Sequence, residues 1–202
     1  KTTLAQIGPI VCSAVRSFFT FASLPSKVSE TKLILLPKVQ NPPQAAEFRP
    51  ILCCNCNIQM HHQIVMLCQR IKVILSHLIN PSQGAFVKGR ELLYNVLICQ
   101  DLARGYKRKK NSLRCLLKID IRKAFDSIHW EFLEHILKAL KFPYIFIKWV
   151  MQCISIVTFS VNINGLNAGT FQGRRDLKQR DPLSLLLFVI SMEYLSRLLQ
   201  HT

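Results

Sequence analysis

The sequence predicts a helix-rich α+β domain with a small antiparallel sheet, and three observations carry that prediction. Apolar residues recur at three- and four-residue spacing through several long stretches, as they do on helices that bury one face. Alternation with a period of two is confined to a few short stretches, which reads as a sheet of few strands. Half of the 202 residues are hydrophobic, enough at this length to bury a core and to argue against disorder.

The stretch Lys118-Ile119-Asp120-Ile121-Arg122-Lys123-Ala124-Phe125-Asp126 organises the rest. Upstream of its acidic residue, Cys115, Leu117, Ile119 and Ile121 alternate with Leu116, Lys118 and Asp120, so a strand is expected. Apolar residues on both faces predict that it is buried, where an ionised Asp120 needs a cation or hydrogen-bond donors. Asp126 and Ser127 offer capping oxygens for a helix from Ile128 to Leu140. A carboxylate at the end of a strand suits a divalent metal that shares its other positions with phosphate and water. A simple helix cap is the competing reading, and spacing alone favours it.

The remaining elements follow in chain order. Ile7, Ile10, Val11, Ala14, Val15 and Phe18 mark an amphipathic helix, and Lys32–Lys38 a strand closed by Pro37. Phe48-Arg49-Pro50-Ile51 is extended, because a residue before proline avoids the helical region. Helical spacing runs from Ile58 to Leu78 and places His61 and His62 on that helix. The nearby Cys53-x-x-Cys56 pair therefore reads as packing rather than as a zinc site. Pro81 to Arg90 breaks the pattern with Gly84 and Gly89, and Leu92 to Leu102 resumes it. Arg104 to Lys110 carries five basic residues in seven, a solvated loop by default. Phe142-Pro143 opens a helix with Ile145, Phe146, Trp149, Val150 and Cys153 inward. Val157 to Ile163 alternates, and Asn164-Gly165 signals a hairpin returning to Phe171. Asp181 as N-cap and Pro182 at the first helical position begin the last helix.

Charge narrows the class of partner. Twenty-seven Lys and Arg against eleven Asp and Glu give a net charge of +16, which favours polyanions, nucleic acid first. No uninterrupted apolar run approaches the roughly 18 to 20 residues of a bilayer span, so no membrane partner is expected. Lys1-Thr2-Thr3 opens without Met or a secretory leader, as a segment of a longer polyprotein would. Eight scattered Cys read as reduced thiols inside a cell, in nucleus or cytoplasm alike.

Residues 118–126 resemble motif A of the reverse transcriptases of LINE-type (non-LTR) retrotransposons, in its K-x-D-x-x-K-A-[FY]-D form, with Trp130 following. Leu36-Pro37-Lys38 with Phe48-Arg49-Pro50-Ile51 resembles that family's first fingers motif. Gln83 to Arg90 resembles its Q-x-A-F-x-x-G-R element, and Ser160 to Gly165 its S-V-x-I-N-G hairpin. Residues 175–185 resemble motif B, R-G-L-x-Q-G-D-P-L-S-P, with Asp176 and Arg180 in place of glycines and Leu185 in place of the final proline. The resemblance covers residues 4 to 202 in family order.

That resemblance implies a right-hand polymerase architecture, with fingers over about 1–110 and a partial palm, its sheet incomplete, over about 111–202. It implies RNA-templated DNA synthesis from an RNA template, a DNA primer and deoxynucleoside triphosphates, with Mg2+ (or Mn2+) as cofactor. Asp120 and the carbonyl of Ile121 would hold metal, and Phe125 would exclude a ribose 2′-hydroxyl. Gln179 would lie near the template–nucleotide pair and Arg49 near the triphosphate, while Lys88 and Arg90 would contact template phosphates. On the residues alone Phe125 is a buried aromatic, Arg49 a solvated cation, and Lys88 and Arg90 part of a basic connection. No Asp-Asp pair occurs in the chain, so the family's aromatic-x-Asp-Asp hairpin is not encoded here, and the chain by itself is expected to be inactive. The alternative is a non-catalytic, basic nucleic-acid-binding remnant.

Overall fold

The computed structural model describes residues 2–23, 30–40, 44, 47–54, 58–106, 117–121, 124–156, 158–163, 166–173, 175, 177 and 181–200. Six helices and four strands are assigned among them: α1 (Thr2–Phe21), β1 (Glu30–Pro37), β2 (Phe48–Cys54), α2 (Ile58–Leu78), α3 (Leu92–Gly105), α4 (Trp130–Ala139), α5 (Tyr144–Ser155), β3 (Thr158–Ile163), β4 (Leu166–Gln172) and α6 (Pro182–Gln200).

The core is helical. α2 turns Ile64, Leu67, Cys68, Ile71 and Leu75 inward, and α6 meets it with Leu183, Leu186, Leu187 and Ile190, each series at the spacing of a single helix face. α4 adds Leu133, Ile136 and Leu137, and α5 adds Phe146, Ile147, Val150, Cys153 and Ile154. Ile145, expected inward, is exposed. α1 docks through adjacent rings: Phe18 is buried, and Phe19 meets Trp149 of α5 edge-on at 4.8 Å. The turn from α4 to α5 closes with two backbone bonds, Lys141 N–H to the Lys138 carbonyl and Phe142 N–H to that of Leu137. Lys141 takes a left-handed φ of 59°, the arrangement of a Schellman cap.

The sheet corrects one expectation. Its order is β2-β1-β3-β4, with β1/β2 and β3/β4 antiparallel but β1/β3 parallel, so it is mixed rather than antiparallel. The two hairpins are local pairings, whereas Glu30 of β1 pairs with Thr158 of β3 across most of the chain. Asn164-Gly165, the hairpin signal, lies outside the described residues.

The segment expected to be a buried strand is a second correction. Residues 117–121 follow no regular ladder, and Leu117, Ile119 and Ile121 are 70%, 53% and 40% exposed. Alternation sets which side chains share a face, but a strand also needs a neighbour for its backbone groups. No described strand pairs with this one. The third correction concerns the next helix, which begins at Trp130. His129 occupies the N-cap without a side-chain cap bond. The Ser127 hydroxyl donates instead to the Ala124 carbonyl at 2.9 Å, closing a turn over 124–127, so Asp126 sits in that turn and not at the cap.

At the last helix the expected start holds. Asp181 Oδ1 accepts the Leu183 N–H at 2.9 Å and Pro182 is the first helical residue. By length and composition α6 could cross a membrane, which reading apolar runs alone does not reveal. Leu183, Leu186, Leu187, Val189 and Ile190 join the core, whereas Tyr194, Leu198 and Leu199 are exposed, and Glu193 and Arg197 lie near the end of α6.

Candidate functional site

Phe125 is the point where motif-bearing segments meet. It follows the irregular segment 117–121 within the 124–127 turn, and its ring stacks on Phe188 of α6 with centroids 4.7 Å apart and planes 21° from parallel. Its carbonyl accepts the N–H of Leu177 at 3.3 Å, and Leu177 is fully buried. Two segments more than fifty positions apart in sequence are thereby held side by side. Gln179, Asp176 and Arg180 belong to the second segment but lie outside the described residues.

Beside this stack is an open cavity of about 170 Å³, lined by Ile121, Ala124, Phe132, Phe188, Met192 and Leu195 among others. Its walls are mainly apolar, which suits packing or stacking rather than charge. Asp120 immediately precedes Ile121 and is exposed. Among the described residues no group of three or more His, Cys, Asp or Glu side chains could hold a metal ion. Two divalent ions need several carboxylates to offset their charge. The described residues therefore do not fit a two-metal centre.

Arg49 is exposed on β2, opposite Leu36 of β1. Lys88 is exposed in the turn after α2. Arg90 has a task that its charge alone does not disclose. Its Nη1 donates to the carbonyls of Asn80 (2.6 Å) and Gln83 (3.0 Å), and its Nη2 to those of Ser76 and Ile79 (both 3.0 Å). These carbonyls surround the end of α2, where helices leave acceptors unsatisfied and favour cations. Glu193, 5% exposed, reinforces the same corner by accepting the Asn80 N–H at 2.9 Å and pairing with Arg197 at 2.8 Å. Arg90 lies twelve residues beyond Leu78, the last residue of α2, so no local sequence signal marks such a role.

Cys68 lies on α2 facing the start of α6. Burial foremost, then the Asp181 carboxylate, pushes its thiol from the ordinary 9.0 up to about 11. A raised folded-state value keeps the thiol protonated where the unfolded chain has already ionised. Stability from this group is therefore complete below pH 9 and lost as pH rises towards 11. Urea unfolding from pH 8 to 11 should show wild type losing stability faster than Cys68→Ala. Parallel curves would mean that the thiol ionises alike in both states.

Residues 36–202 match the reverse transcriptase (RNA-dependent DNA polymerase) family. The chain belongs to that family. Curated relatives of this reverse transcriptase segment include the Transposon TX1 uncharacterized 149 kDa protein of Xenopus laevis, 27% identical over 187 residues. That alignment takes in 93% of this chain and 14% of the relative. The Pol polyprotein of the type-2 retrotransposable element R2DM of Drosophila melanogaster is 27% identical over 177 residues, 88% of this chain and 16% of its own length. The R2 Pol polyprotein of Nasonia vitripennis is 24% identical over 197 residues, 97% and 19% respectively. These retrotransposon relatives agree with the LINE-type character of the motifs. The reverse transcriptase segment spans less than a fifth of each of these three relatives.

Proposed function

We propose that this segment contributes to RNA-directed DNA polymerisation, in which a primer 3′-hydroxyl attacks the α-phosphate of a deoxynucleoside triphosphate and pyrophosphate leaves. The observation that carries the proposal is the ordered motif series culminating in Asp120 and Phe125, within a chain that belongs to the reverse transcriptase family. Asp120 is the candidate catalytic carboxylate, and with the Ile121 carbonyl it is the candidate partner for the divalent metal, Mg2+ or Mn2+, that the family uses. The described residues do not assemble a metal site, so no step is assigned to that ion.

The remaining roles rest on charge and shape. Phe125, braced by Phe188, supplies a flat hydrophobic edge against which a 2′-hydroxyl would be excluded. Gln179 is assigned to the template–nucleotide pair, Arg49 to the triphosphate, and Lys88 to a template phosphate. Four of the five N–H groups of Arg90 are engaged with carbonyls, so any phosphate contact there falls to what remains of its fork. A fingers region up to about residue 110 and a partial palm beyond it remain the proposed division.

A second reading has its own support. With a net charge of +16 and no described metal cluster, the isolated 202-residue chain is proposed to bind nucleic acid without extending it. Primer extension on an RNA template separates the two. The chain alone and its Asp120→Asn variant should both remain at background. Once followed by a relative's paired-aspartate hairpin, the wild-type sequence should extend and Asp120→Asn should return to background. Equal extension by both fused proteins would remove Asp120 from the reaction.

A further inference from the structure

α3 is apolar on every side and covered on none. From Leu92 to Gln100 it carries no charged residue, and no residue of the helix is buried. Leu92 and Leu93 are each 61% exposed and Val96 50%. A helix that is apolar all round is ordinarily a buried one, so this one calls for a cover. Its attachment to the turn before it is narrow. Asn95 donates to the Ser82 carbonyl at 3.0 Å and lies against Gly84.

Round the helix from that attachment runs a seam. Leu92, Val96, Cys99 and Ala103, all exposed, follow one another at intervals of four, three and four, the spacing by which paired helices meet. The series is its own complement. When a second copy is laid antiparallel about a two-fold axis between Leu97 and Ile98, Leu92 meets Ala103 and Val96 meets Cys99, each pair equidistant from the axis. A large residue opposite a small one lets the two rows interdigitate, and a patch that fits itself is what a two-fold contact requires.

Charge permits the contact here. Two copies at +16 each repel over most of their surface. On α3 and its cap, however, Glu91 and Asp101 stand against Arg104, a net −1. Asp101 and Arg104 already face each other at 3.8 Å within the helix. Like charge therefore does not oppose a second copy along this seam.

We propose that α3 is a self-association surface, through which two copies of this chain pair antiparallel by Leu92, Val96, Cys99 and Ala103. The contact is one 14-residue helix long, about 21 Å. That places it at the small end of specific interfaces, on the order of 1,000 Å², so the dimer is weak and concentration-dependent. The inference goes beyond the polymerase reading and does not rest on it.

Sedimentation equilibrium of the nuclease-treated 202-residue chain across the micromolar range is the test. Wild type should show a monomer–dimer equilibrium that tightens as salt rises, since salt screens two like-charged copies. Association bridged by residual nucleic acid would loosen instead. Val96→Lys and Val96→Glu should each weaken the dimer about 10- to 100-fold, the scale of one buried valine. Mixed together they should associate again, because position 96 in the two copies lies only about 4.5 Å apart along the helix axes. Tyr94→Lys, on the opposite side of the helix, should leave the equilibrium as in wild type. Oxidation of Val96→Cys should bridge position 96 of one copy to Cys99 of the other.

A wild type that stays monomeric overturns the proposal and leaves α3 to a different polypeptide, and a dimer that loosens with salt overturns it in favour of nucleic-acid bridging. Equal loss in Tyr94→Lys, no association between the mixed Val96 variants, or bridges mapped only to other cysteines overturns the seam and reduces the contact to unspecific apolar adhesion.

Discussion

Arg90→Ala is expected to lower the free energy of unfolding by about 2–3 kcal/mol, the range for hydrogen bonds made by a charged group at a partly buried site. The guanidinium donates four bonds of 2.6 to 3.0 Å to carbonyls at positions 76, 79, 80 and 83. Alanine leaves these acceptors to water, which has access only on the exposed side. It also removes a cation from the negative end of the α2 dipole. Arg90→Lys should recover a minority of the loss, because an ammonium is a point charge and cannot span four acceptors as a planar fork does. Urea unfolding checks this: the midpoint should fall with the slope unchanged. Amide exchange across 81–89 should accelerate beyond what global destabilisation explains. A loss below about 0.5 kcal/mol, the usual range of a surface substitution, would show that water replaces the clamp at no cost. The Glu193–Arg197 pair shares this corner, and Arg197 Nη2 donates to the Leu78 carbonyl at 3.2 Å. The Arg90 and Glu193 substitutions should therefore be non-additive.

The corner also shows where sequence reading stops. α1, α2 and α6 are legible because each shows one apolar face at helical period, and Asp181-Pro182 marks the start of α6 through chemistry local to two residues. β1 is legible from a short apolar run closed by Pro37, β2 from the extended residue before Pro50, and the β3–β4 hairpin from alternation up to Asn164-Gly165. The parallel join of β1 to β3 is not, since nothing near Thr31 refers to Phe159, its partner in the register. Residues 117–121 alternate as a strand does, but alternation cannot supply a neighbouring strand. α3 carries helical apolar spacing and buries none of it, because spacing reports a face and not what covers it. Arg90 is ambiguous in principle, as a guanidinium fits phosphate oxygens and helix-end carbonyls equally well. Of the candidate site, Phe125 is readable as a half-buried aromatic, but its stacking partner sixty-three positions later is not.

Phe188→Ala is the substitution expected to disturb the candidate site most. Full burial would make Phe→Ala cost about 3–5 kcal/mol. Phe188 is half-buried, so about 2–3 kcal/mol is expected. The loss has two parts. One is the stack with Phe125 at 4.7 Å, and the other is enlargement of the adjoining cavity, already about 170 Å³. Phe188→Leu keeps most of the volume and should cost less than about 1.5 kcal/mol. A double-mutant cycle with Phe125→Ala isolates the ring contact, for which a coupling of about 0.5–1.5 kcal/mol is expected. Full additivity would mean that the rings do not support one another in solution. The consequence extends past stability, because the Phe125 backbone also holds Leu177 through its carbonyl. With Phe188 gone, the ring regains rotamers while that backbone bond still fixes its Cα. The segments would stay joined and the flat face would be lost. If Phe125 polices the sugar, Phe188→Ala should therefore weaken discrimination between deoxyribose and ribose in an active fusion more than it weakens incorporation itself. Phe188→Leu, which still fills the space behind the ring, should preserve that discrimination.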